Sequence, residues 1–386
     1  MKTSALRVGF PIGAVFFGSL VGPSMISGIY SKVYLVPYGT WAFVFMFSFP
    51  LISGAIIGFS AELARREHVY DYNSFSKALY GKASIVCTPL MEIYMLMAQI
   101  LTLGAVMSMG GTFMQQIAGW EPIFGSLFLG LLCLTLVLKG AGLIRGASSV
   151  MCVILAVGFG LLAGYAAWDH RDALANIVST GYMLPEADLG NGIYMAILFG
   201  FSGACNGMVL CALMQKVQTK VHAVSVGFWC FLLTLLVLTL EVLVILPYIP
   251  EVMASDVPTM YIIQTFLVEK LPWLPGLYFF VMFFALVTSG VPAYQAMIAR
   301  VAKLLPKQGV LSRPLVQRIG IGLVFLGVVL AIAQLGLTTI VSRGYSALGF
   351  VGILLIALPT CVLMPIKWVR QARSAAQAPN QEEVNS

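Results

Sequence analysis

Long apolar stretches separated by short polar connections run along almost the whole chain. A helix needs about 20 apolar residues to cross the hydrocarbon core of a membrane. The pattern therefore predicts an all-α polytopic membrane protein with ten transmembrane helices, over residues 8–36, 39–63, 84–112, 122–139, 144–168, 190–215, 221–247, 275–303, 315–335 and 339–366.

Two of these segments are interrupted in the middle by small and polar residues. The first carries such a run from Gly18 to Gly28, and the sixth from Phe199 to Gly207. Lipid cannot bond the backbone groups that an unwound helix frees, so such an interruption is tolerated where it lines a cavity or a ligand site. Two interruptions at matching positions are typical of a secondary transporter with its site at the midplane. The alternative is that these glycines only let helices pack closely.

The ten predicted helices divide into two halves of five, about residues 7–168 and 190–366. An odd number of spans in each half gives the halves opposite orientations, which is an inverted repeat. Each half begins with an interrupted helix and carries an amphipathic stretch after its second helix, Tyr70 to Tyr80 and Pro258 to Leu271. We therefore predict a single transmembrane domain over residues 1–373 and a disordered cytoplasmic tail over 374–386.

Composition and charge agree with this architecture. The chain is 60% hydrophobic and 10% charged, with a mean hydropathy of +0.94, whereas a soluble domain carries about 25% charged residues. The net charge of +7 does not indicate nucleic-acid binding, because the 22 Lys and Arg residues follow the predicted topology. All but Lys32, Arg171, Lys270 and Arg343 fall on one side, which predicts that both termini are in the cytoplasm.

A cation site is predicted where three polar patches share one depth. Gly22, Ser202 and the pair Thr288 and Ser289 each lie near the middle of their segments. Carbonyls freed at a helix interruption, together with hydroxyls on a facing helix, suit a sodium ion that must later leave. We predict a sodium ion held by the carbonyls of Gly18, Val21 and Ala285 and the hydroxyls of Thr288 and Ser289. The alternative is that these hydroxyls bond back to their own helices.

A substrate site is predicted between the two interruptions. Freed N–H groups at the start of a half-helix carry partial positive charge and suit a carboxylate. Polar groups of the sixth segment complete the cup, and aromatic rings close it. The predicted substrate-binding residues are Gly22, Pro23, Ser24, Met25, Ser27, Gly28, Tyr30, Gln99, Phe199, Phe201, Ser202, Gly203 and Asn206.

Charged residues inside the membrane are costly and usually functional. Glu92 is a candidate proton site or inner-gate partner, with a structural pair to a neighbouring helix as the alternative. Glu241 is a second intramembrane acid, in the outer half of the seventh helix. Lys32 and Arg343 lie on the outer side, where they would attract an anion or extend to the membrane interface.

Three stretches of the chain resemble a known group of membrane proteins. The stretch Val21-Gly22-Pro23-Ser24-Met25-Ile26-Ser27-Gly28 is similar to the first-helix motif of the YkvI-like bacterial membrane proteins, a LeuT-fold branch of the amino acid–polyamine–organocation superfamily. Residues from Lys139 to Ser148 and from Ile249 to Tyr261 are similar as well. The resemblance implies a bacterial inner membrane protein with a LeuT-like 5+5 inverted repeat and broken helices 1 and 6.

In the wider LeuT-fold group, the segment Phe283 to Ser289 resembles the eighth-helix sodium motif, which implies the same ion ligands as the depth argument. The chain departs from its closer relatives at Ile29 and Tyr30, where many show Gln-Glu. The outer gate of many members pairs a base with an acid, which Lys32 and Arg343 cannot do together.

The leading prediction is a sodium-coupled symporter for a small organic solute, an amino acid or related carboxylate, that works by alternating access. Sodium is the predicted cofactor; the predicted partners are the substrate and the lipid bilayer, without nucleic acid, and the working unit is taken as a monomer. Proton coupling through Glu92 and a non-transporting membrane receptor are the alternatives. No cysteine, histidine or nucleophile motif supports an enzyme. A metal-ion transporter is weakly indicated, by Met25 and Cys205 alone.

Overall fold

The computed structural model describes residues 5–20, 23–139, 142–302 and 314–377, and these are nearly all helical. Predicted site residues Val21 and Gly22 lie outside this part. The α-helices are α1 (Ala5–Leu20), α2 (Pro23–Ile26), α3 (Ile29–Tyr34), α4 (Ala42–Phe45), α5 (Ser48–Glu67), α6 (Tyr72–Tyr80), α7 (Ser84–Ala118), α8 (Pro122–Lys139), α9 (Gly142–Asp169), α10 (Arg171–Thr180), α11 (Leu189–Ser202), α12 (Asn206–Val209), α13 (Lys220–Ile245), α14 (Pro258–Ile262), α15 (Leu274–Ala302), α16 (Pro314–Ala333), α17 (Leu337–Thr339), α18 (Ser346–Gly352) and α19 (Met364–Gln377). Tighter 3₁₀ turns cover Val36–Trp41, Gly81–Ala83, Leu210–Lys216, Leu246–Tyr248 and Glu251–Ala254, and wider π-helical turns cover Ile263–Leu267, Ile340–Tyr345, Ile353–Ala357 and Pro359–Leu363.

The chain is a multi-pass membrane protein. Within the described ranges, eight helical stretches are long and apolar enough to cross a bilayer: Val36–Glu67, Tyr72–Ala118, Pro122–Lys139, Leu189–Lys216, Lys220–Tyr248, Leu274–Ala302, Leu315–Ala333 and Leu337–Arg370. Each corresponds to a predicted span. The first predicted span corresponds to α1 through α3, and the fifth to α9. The count of ten spans and the 5+5 repeat stay predictions.

Contacts between distant residues define the two ends of the helical bundle. At one end the Ser225 hydroxyl donates to the carbonyl of Ala5 at 3.0 Å, and the Arg66 guanidinium lies 4.5 Å from the Trp368 ring centroid. We call this end the N-terminal side; it is the side predicted to be cytoplasmic. At the opposite side, Lys270 pairs with Asp169 at 2.6 Å.

Both predicted amphipathic stretches are helical connections between spans. The first contains α6, whose N-terminus is capped by Asp71: the carboxylate accepts from the N–H groups of Asn73 and Ser74, each at 3.1 Å. A further hydrogen bond from the Ser74 hydroxyl helps to lower the pKa of Asp71. The second stretch contains α14 and the π-helical turn that follows it. Helix α10 was not predicted, and α19 continues to Gln377, beyond the predicted start of the tail.

Close packing of α5 against α13 explains some of the membrane glycines. A Cβ atom on Gly54 would lie 2.9 Å from the carbonyl oxygen of Gly227, and one on Gly227 would lie 3.1 Å from the Cα of Gly58. Here the packing role of small residues holds. It does not hold at Gly158 or Gly320, where an added Cβ would meet nothing within 4 Å in the described part of the chain.

Alanine at Gly39 is expected to destabilise the protein more than alanine at Gly119. Both glycines have positive φ, 53° and 68°, so both substitutions strain the backbone. The Cβ at Gly39 would also lie 1.6 Å from the backbone oxygen of Tyr182, whereas the Cβ at Gly119 would meet nothing within 4 Å. Relieving that overlap costs about 1–3 kcal/mol. Thermal unfolding in detergent measures the difference, and equal melting of the two variants would contradict it.

Candidate functional site

The first interruption lies where α2 ends and α3 begins. Gly28 adopts the left-handed conformation, with φ 80°, and separates the two helices. The carbonyls freed there are bonded by other parts of the protein. The backbone N–H of Thr259 donates to the carbonyl of Ser27 at 2.9 Å, and the Tyr278 hydroxyl donates to that of Ile26 at 3.3 Å. The segment from Ile249 to Tyr261, which contains Thr259, therefore helps to fix the backbone at the interruption.

The N–H groups at the start of α3 are capped by Glu241 of α13. The Glu241 Oε1 atom accepts the backbone N–H of Ser31 at 3.0 Å, and the carboxylate also interacts with the backbone N–H of Tyr30. The hydroxyl of Ser27 accepts the N–H of Ile29 at 3.3 Å. Glu241 is 0% exposed. The chain thus supplies its own carboxylate at the start of α3.

The second interruption is the turn at residues 203–205, between α11 and α12. Side chains within the segment bond the freed carbonyls. The Ser202 hydroxyl donates to the carbonyl of Phe199 at 2.7 Å, and the Asn206 amide donates to that of Gly203 at 2.9 Å. Interruptions were predicted in both segments, and both are present.

A cavity of about 280 Å³ lies between the two interrupted segments. Eight predicted site residues line it: Met25, Tyr30, Gln99, Phe199, Ser202, Gly203, Asn206 and Ser289. Ser27, Gly28 and Phe201 do not line it, and the side chains of Pro23 and Ser24 lie outside the described part. Residues that line it without having been predicted are Phe49, Met95, Ala98, Thr102, Val106, Cys205, Val209, Ala293, Tyr345 and Leu348.

The lining combines an apolar wall with a few uncharged polar groups. Gln99, Thr102, Ser202, Asn206 and Ser289 supply amides and hydroxyls, and none of the lining residues described is ionisable as an acid or a base at neutral pH. The Gln99 side-chain oxygen is buried and has no hydrogen-bond partner in the described ranges. A buried acceptor of this kind is normally paired, so Gln99 is the side chain best placed to receive a donor from a ligand.

An aromatic layer closes the cavity toward the opposite side. The Phe199 ring stacks on Tyr34 and Phe49, with centroids 4.5 and 4.7 Å away, and Tyr30 lies between Phe199 and Tyr345 at 5.4 and 5.9 Å. The Tyr34 hydroxyl donates to the carbonyl of Val341 at 2.6 Å. These contacts tie α3 and α11 to the segment around Tyr345.

Lys32 adds a polar contact above this layer. It is 7% exposed, and its ammonium donates to the carbonyl of Ser255 at 2.8 Å. Asp256 interacts with it electrostatically and accepts a hydrogen bond from Thr338 at 2.6 Å. Asp256 is an acidic partner that the sequence analysis did not anticipate, because it lies on a distant loop. Arg343 is exposed and does not line the cavity.

Glu92 pairs with Arg300 toward the N-terminal side. The Arg300 guanidinium of α15 donates to the Glu92 carboxylate of α7, and it lies 5.5 Å from the Tyr72 ring centroid of α6. The pair joins three elements below the cavity. The proton, inner-gate and structural roles of Glu92 stay predictions.

Breaking this pair is expected to expose the cavity to the N-terminal side. Cys205 lines the cavity and is a free thiol, so it can report access once the other cysteines are replaced. A partly exposed ion pair contributes about 0.5–1 kcal/mol, so we expect Glu92→Gln to raise the labelling rate of Cys205 by a membrane-impermeant thiol reagent about two- to fivefold.

The matched controls use the partner residue. Arg300→Gln should raise the rate similarly, and the swap of Glu92→Arg with Arg300→Glu should bring it back toward the wild-type value. Labelling that is indifferent to all three variants would exclude a gating role for the pair.

Four of the five predicted sodium ligands, all but Val21, lie in the described part of the chain. Thr288 and Ala285 lie on α15, and the Thr288 hydroxyl donates to the Ala285 carbonyl at 3.2 Å, which is the back-bonding alternative. Ser289 lines the cavity, and Gly18 is on α1. The donor set is all oxygen and uncharged, which suits a monovalent ion. Among the residues described, no group of three His, Cys, Asp or Glu side chains could hold a metal ion.

Comparisons with solved structures identify the fold. The chain superimposes on MhsT in complex with L-phenylalanine with a TM-score of 0.60, 14% identity and coverage of 93% of this chain and 96% of that one. A Na⁺-coupled sialic acid symporter superimposes with a TM-score of 0.57 and 11% identity, covering 92% of this chain and 78% of that one. An Eremococcus coleocola manganese transporter variant superimposes with a TM-score of 0.56 and 13% identity, covering 99% of this chain and 91% of that one. The chain therefore has the LeuT fold. No family model and no curated protein matches it, so the YkvI-like resemblance stays a prediction.

Proposed function

We propose that this protein is a secondary transporter that carries a small organic solute together with sodium by alternating access. The observation that supports this most directly is the cavity at the meeting of two interrupted helices, with Ser289 of α15 in its wall. Interruptions of this kind mark the substrate and ion sites of transporters built on inverted repeats. The N-terminal side is then the cytoplasmic side.

The proposed substrate is a zwitterionic amino acid or a related small carboxylate with an apolar part. The cavity has about 280 Å³ and a mostly apolar lining. Its volume is just below the range of about 300–1,000 Å³ for drug-sized ligands, which fits a small solute. Gln99 would accept a hydrogen bond from the substrate ammonium. Glu241 already caps α3, so the carboxylate would use N–H groups nearer Met25. The structural neighbour MhsT binds L-phenylalanine.

Coupling would follow from shared ordering of the first interruption. Sodium at the carbonyl of Gly18 and the hydroxyls of Thr288 and Ser289 would fix α1 against α15. Substrate bound beside Met25 and Ser202 would then meet a segment that is already ordered. Two ligands that each order the same segment bind cooperatively.

A thermal-stability screen of the purified protein against small metabolites, run in sodium and in potassium, tests the proposal. A ligand that binds the native state stabilises it by about 2.7 kcal/mol at a hundredfold excess over its dissociation constant. A metabolite that stabilises only in sodium, and that reconstituted vesicles accumulate, would support symport. Stabilisation that is equal in both salts would instead favour proton coupling, and binding without uptake would favour a receptor.

One observation favours a second candidate, transport of a soft metal cation. Met25, Met95 and Cys205 line the same cavity, and thioether and thiol sulfur prefer soft ions such as Cu(I). Stabilisation of the metabolite-free protein by such an ion, lost in Met25→Leu, would select this candidate.

A further inference from the structure

A second cavity, larger than the central one, opens between α5, α13 and α19 toward the N-terminal side. It has about 660 Å³, against about 280 Å³ for the central cavity. Its floor is formed by Gly54, Gly58 and Gly227, where the two helices approach closely. Because glycines carry no side chain, they leave a groove between the flanking residues Phe59 and Phe228.

The rim of this groove is cationic. Arg66 of α5 and Lys220 of α13 line it, together with Glu62. Glu62 is bonded to Arg65 and Arg66 at 2.7 and 2.6 Å, so these four residues keep a net positive charge. Arg66 uses its Nε atom for Glu62, and its two terminal nitrogens have no acceptor in the part of the chain that is described.

Arg66 also lines a separate polar cavity of about 480 Å³, beside Arg65, His68 and Gln218. No acidic residue lines that cavity in the described ranges. Arg66 therefore stands at the junction of an apolar groove and a polar, basic cavity. A phospholipid has the same division, with an apolar chain, a phosphate and a polar headgroup.

We propose that the groove between α5, α13 and α19 binds one acidic glycerophospholipid, with an acyl chain over the three glycines and the phosphate at Arg66 and Lys220. Charge complementarity supports this occupant, since basic pockets between helices on the cytoplasmic side recognise anionic headgroups. The walls agree: Phe228 is 52% exposed and Val224 is 61% exposed, as expected of side chains that meet lipid.

Native mass spectrometry of the full-length protein, titrated with phosphatidylglycerol or phosphatidylcholine, tests the proposal. We expect one tightly bound phosphatidylglycerol molecule and weaker binding of phosphatidylcholine. Lys220→Ala should lower the affinity for phosphatidylglycerol about fivefold, since one cation near a lipid surface contributes about 1 kcal/mol. Lys77→Ala, which removes an exposed lysine from α6 on the same side, should leave the affinity for phosphatidylglycerol unchanged.

A second variant addresses the groove itself. Ala55 lines it and is exposed, so Ala55→Trp should fill the groove and abolish the tight site. Ala331→Trp, at an exposed position of α16, is the matched control. Unaltered retention in both Lys220→Ala and Ala55→Trp, or equal affinity for the two lipids, would overturn the proposal. So would equal competition by free glycerol phosphate, which would indicate an anion site without a role for the acyl chain.

Discussion

Replacing Glu241 by leucine is expected to destabilise this protein and to reduce its transport, whereas glutamine at the same position should be tolerated. Glu241 is buried, and its carboxylate accepts the N–H group of Ser31 and interacts with that of Tyr30. Leucine would leave both donors without a partner. A buried donor without a partner costs about 1–3 kcal/mol, so the leucine variant should lose about 2–6 kcal/mol relative to the glutamine variant.

The comparison between these two variants separates the cap from the charge. Glutamine keeps an oxygen acceptor at the same place and removes the carboxylate, so both variants lose the charge and only leucine loses the cap. Unfolding in mixed micelles gives the stability, and uptake in vesicles gives the function. If glutamine proves as damaging as leucine, then the charge of Glu241 is needed, and the prediction that an oxygen acceptor alone is enough to cap α3 is rejected.

The loss should extend to transport because α3 carries part of the site. Tyr30 lines the cavity, and Tyr34 stacks on Phe199 in the aromatic layer above it. Both rings are positioned by the helix that Glu241 caps. A shift of α3 would therefore open the aromatic layer and change the cavity together.

The interruptions could be predicted from the sequence because their signal is local. Small and polar residues in the middle of an apolar segment indicate freed backbone groups wherever the segment is placed. The same reasoning, with depth along each span, assigns Met25, Gln99 and Asn206 to the predicted substrate site and Ser289 to the predicted sodium site. All four line one cavity.

The partners of the backbone groups could not be predicted, because they come from distant parts of the chain. Glu241 is 210 residues from Ser31, and Arg300 is 208 residues from Glu92. Nothing in the local pattern around Ser31 indicates which buried acid caps it. For the same reason Ser27 and Gly28 were assigned to the substrate, whereas the structure places both outside the cavity lining.

Removing the Thr288 or the Ser289 hydroxyl is expected to raise the half-saturating sodium concentration for uptake at least tenfold. A hydrogen bond or ligand to a charged group contributes about 1.5–3 kcal/mol, and 1.4 kcal/mol corresponds to a tenfold change in affinity. Thr288→Ala and Ser289→Ala should therefore shift the half-saturating sodium concentration while leaving melting in potassium unchanged. Thr288→Ser, which keeps the hydroxyl, should stay close to the wild type.

Thr102→Ala is the matched control for both positions. Its hydroxyl bonds back to its own helix, to the Ala98 carbonyl at 2.8 Å, as that of Thr288 does, and Thr102 lines the cavity, as Ser289 does. The Thr288 hydroxyl has a bond of the same kind to Ala285, so back-bonding alone cannot distinguish the two positions. If sodium dependence changes only at Thr288 and Ser289, those hydroxyls have a function that Thr102 lacks, which is the binding of the ion. If it changes at none of the three, sodium is bound elsewhere or not at all. Uptake driven by a pH gradient without sodium, and abolished by Glu92→Gln, would then assign coupling to protons.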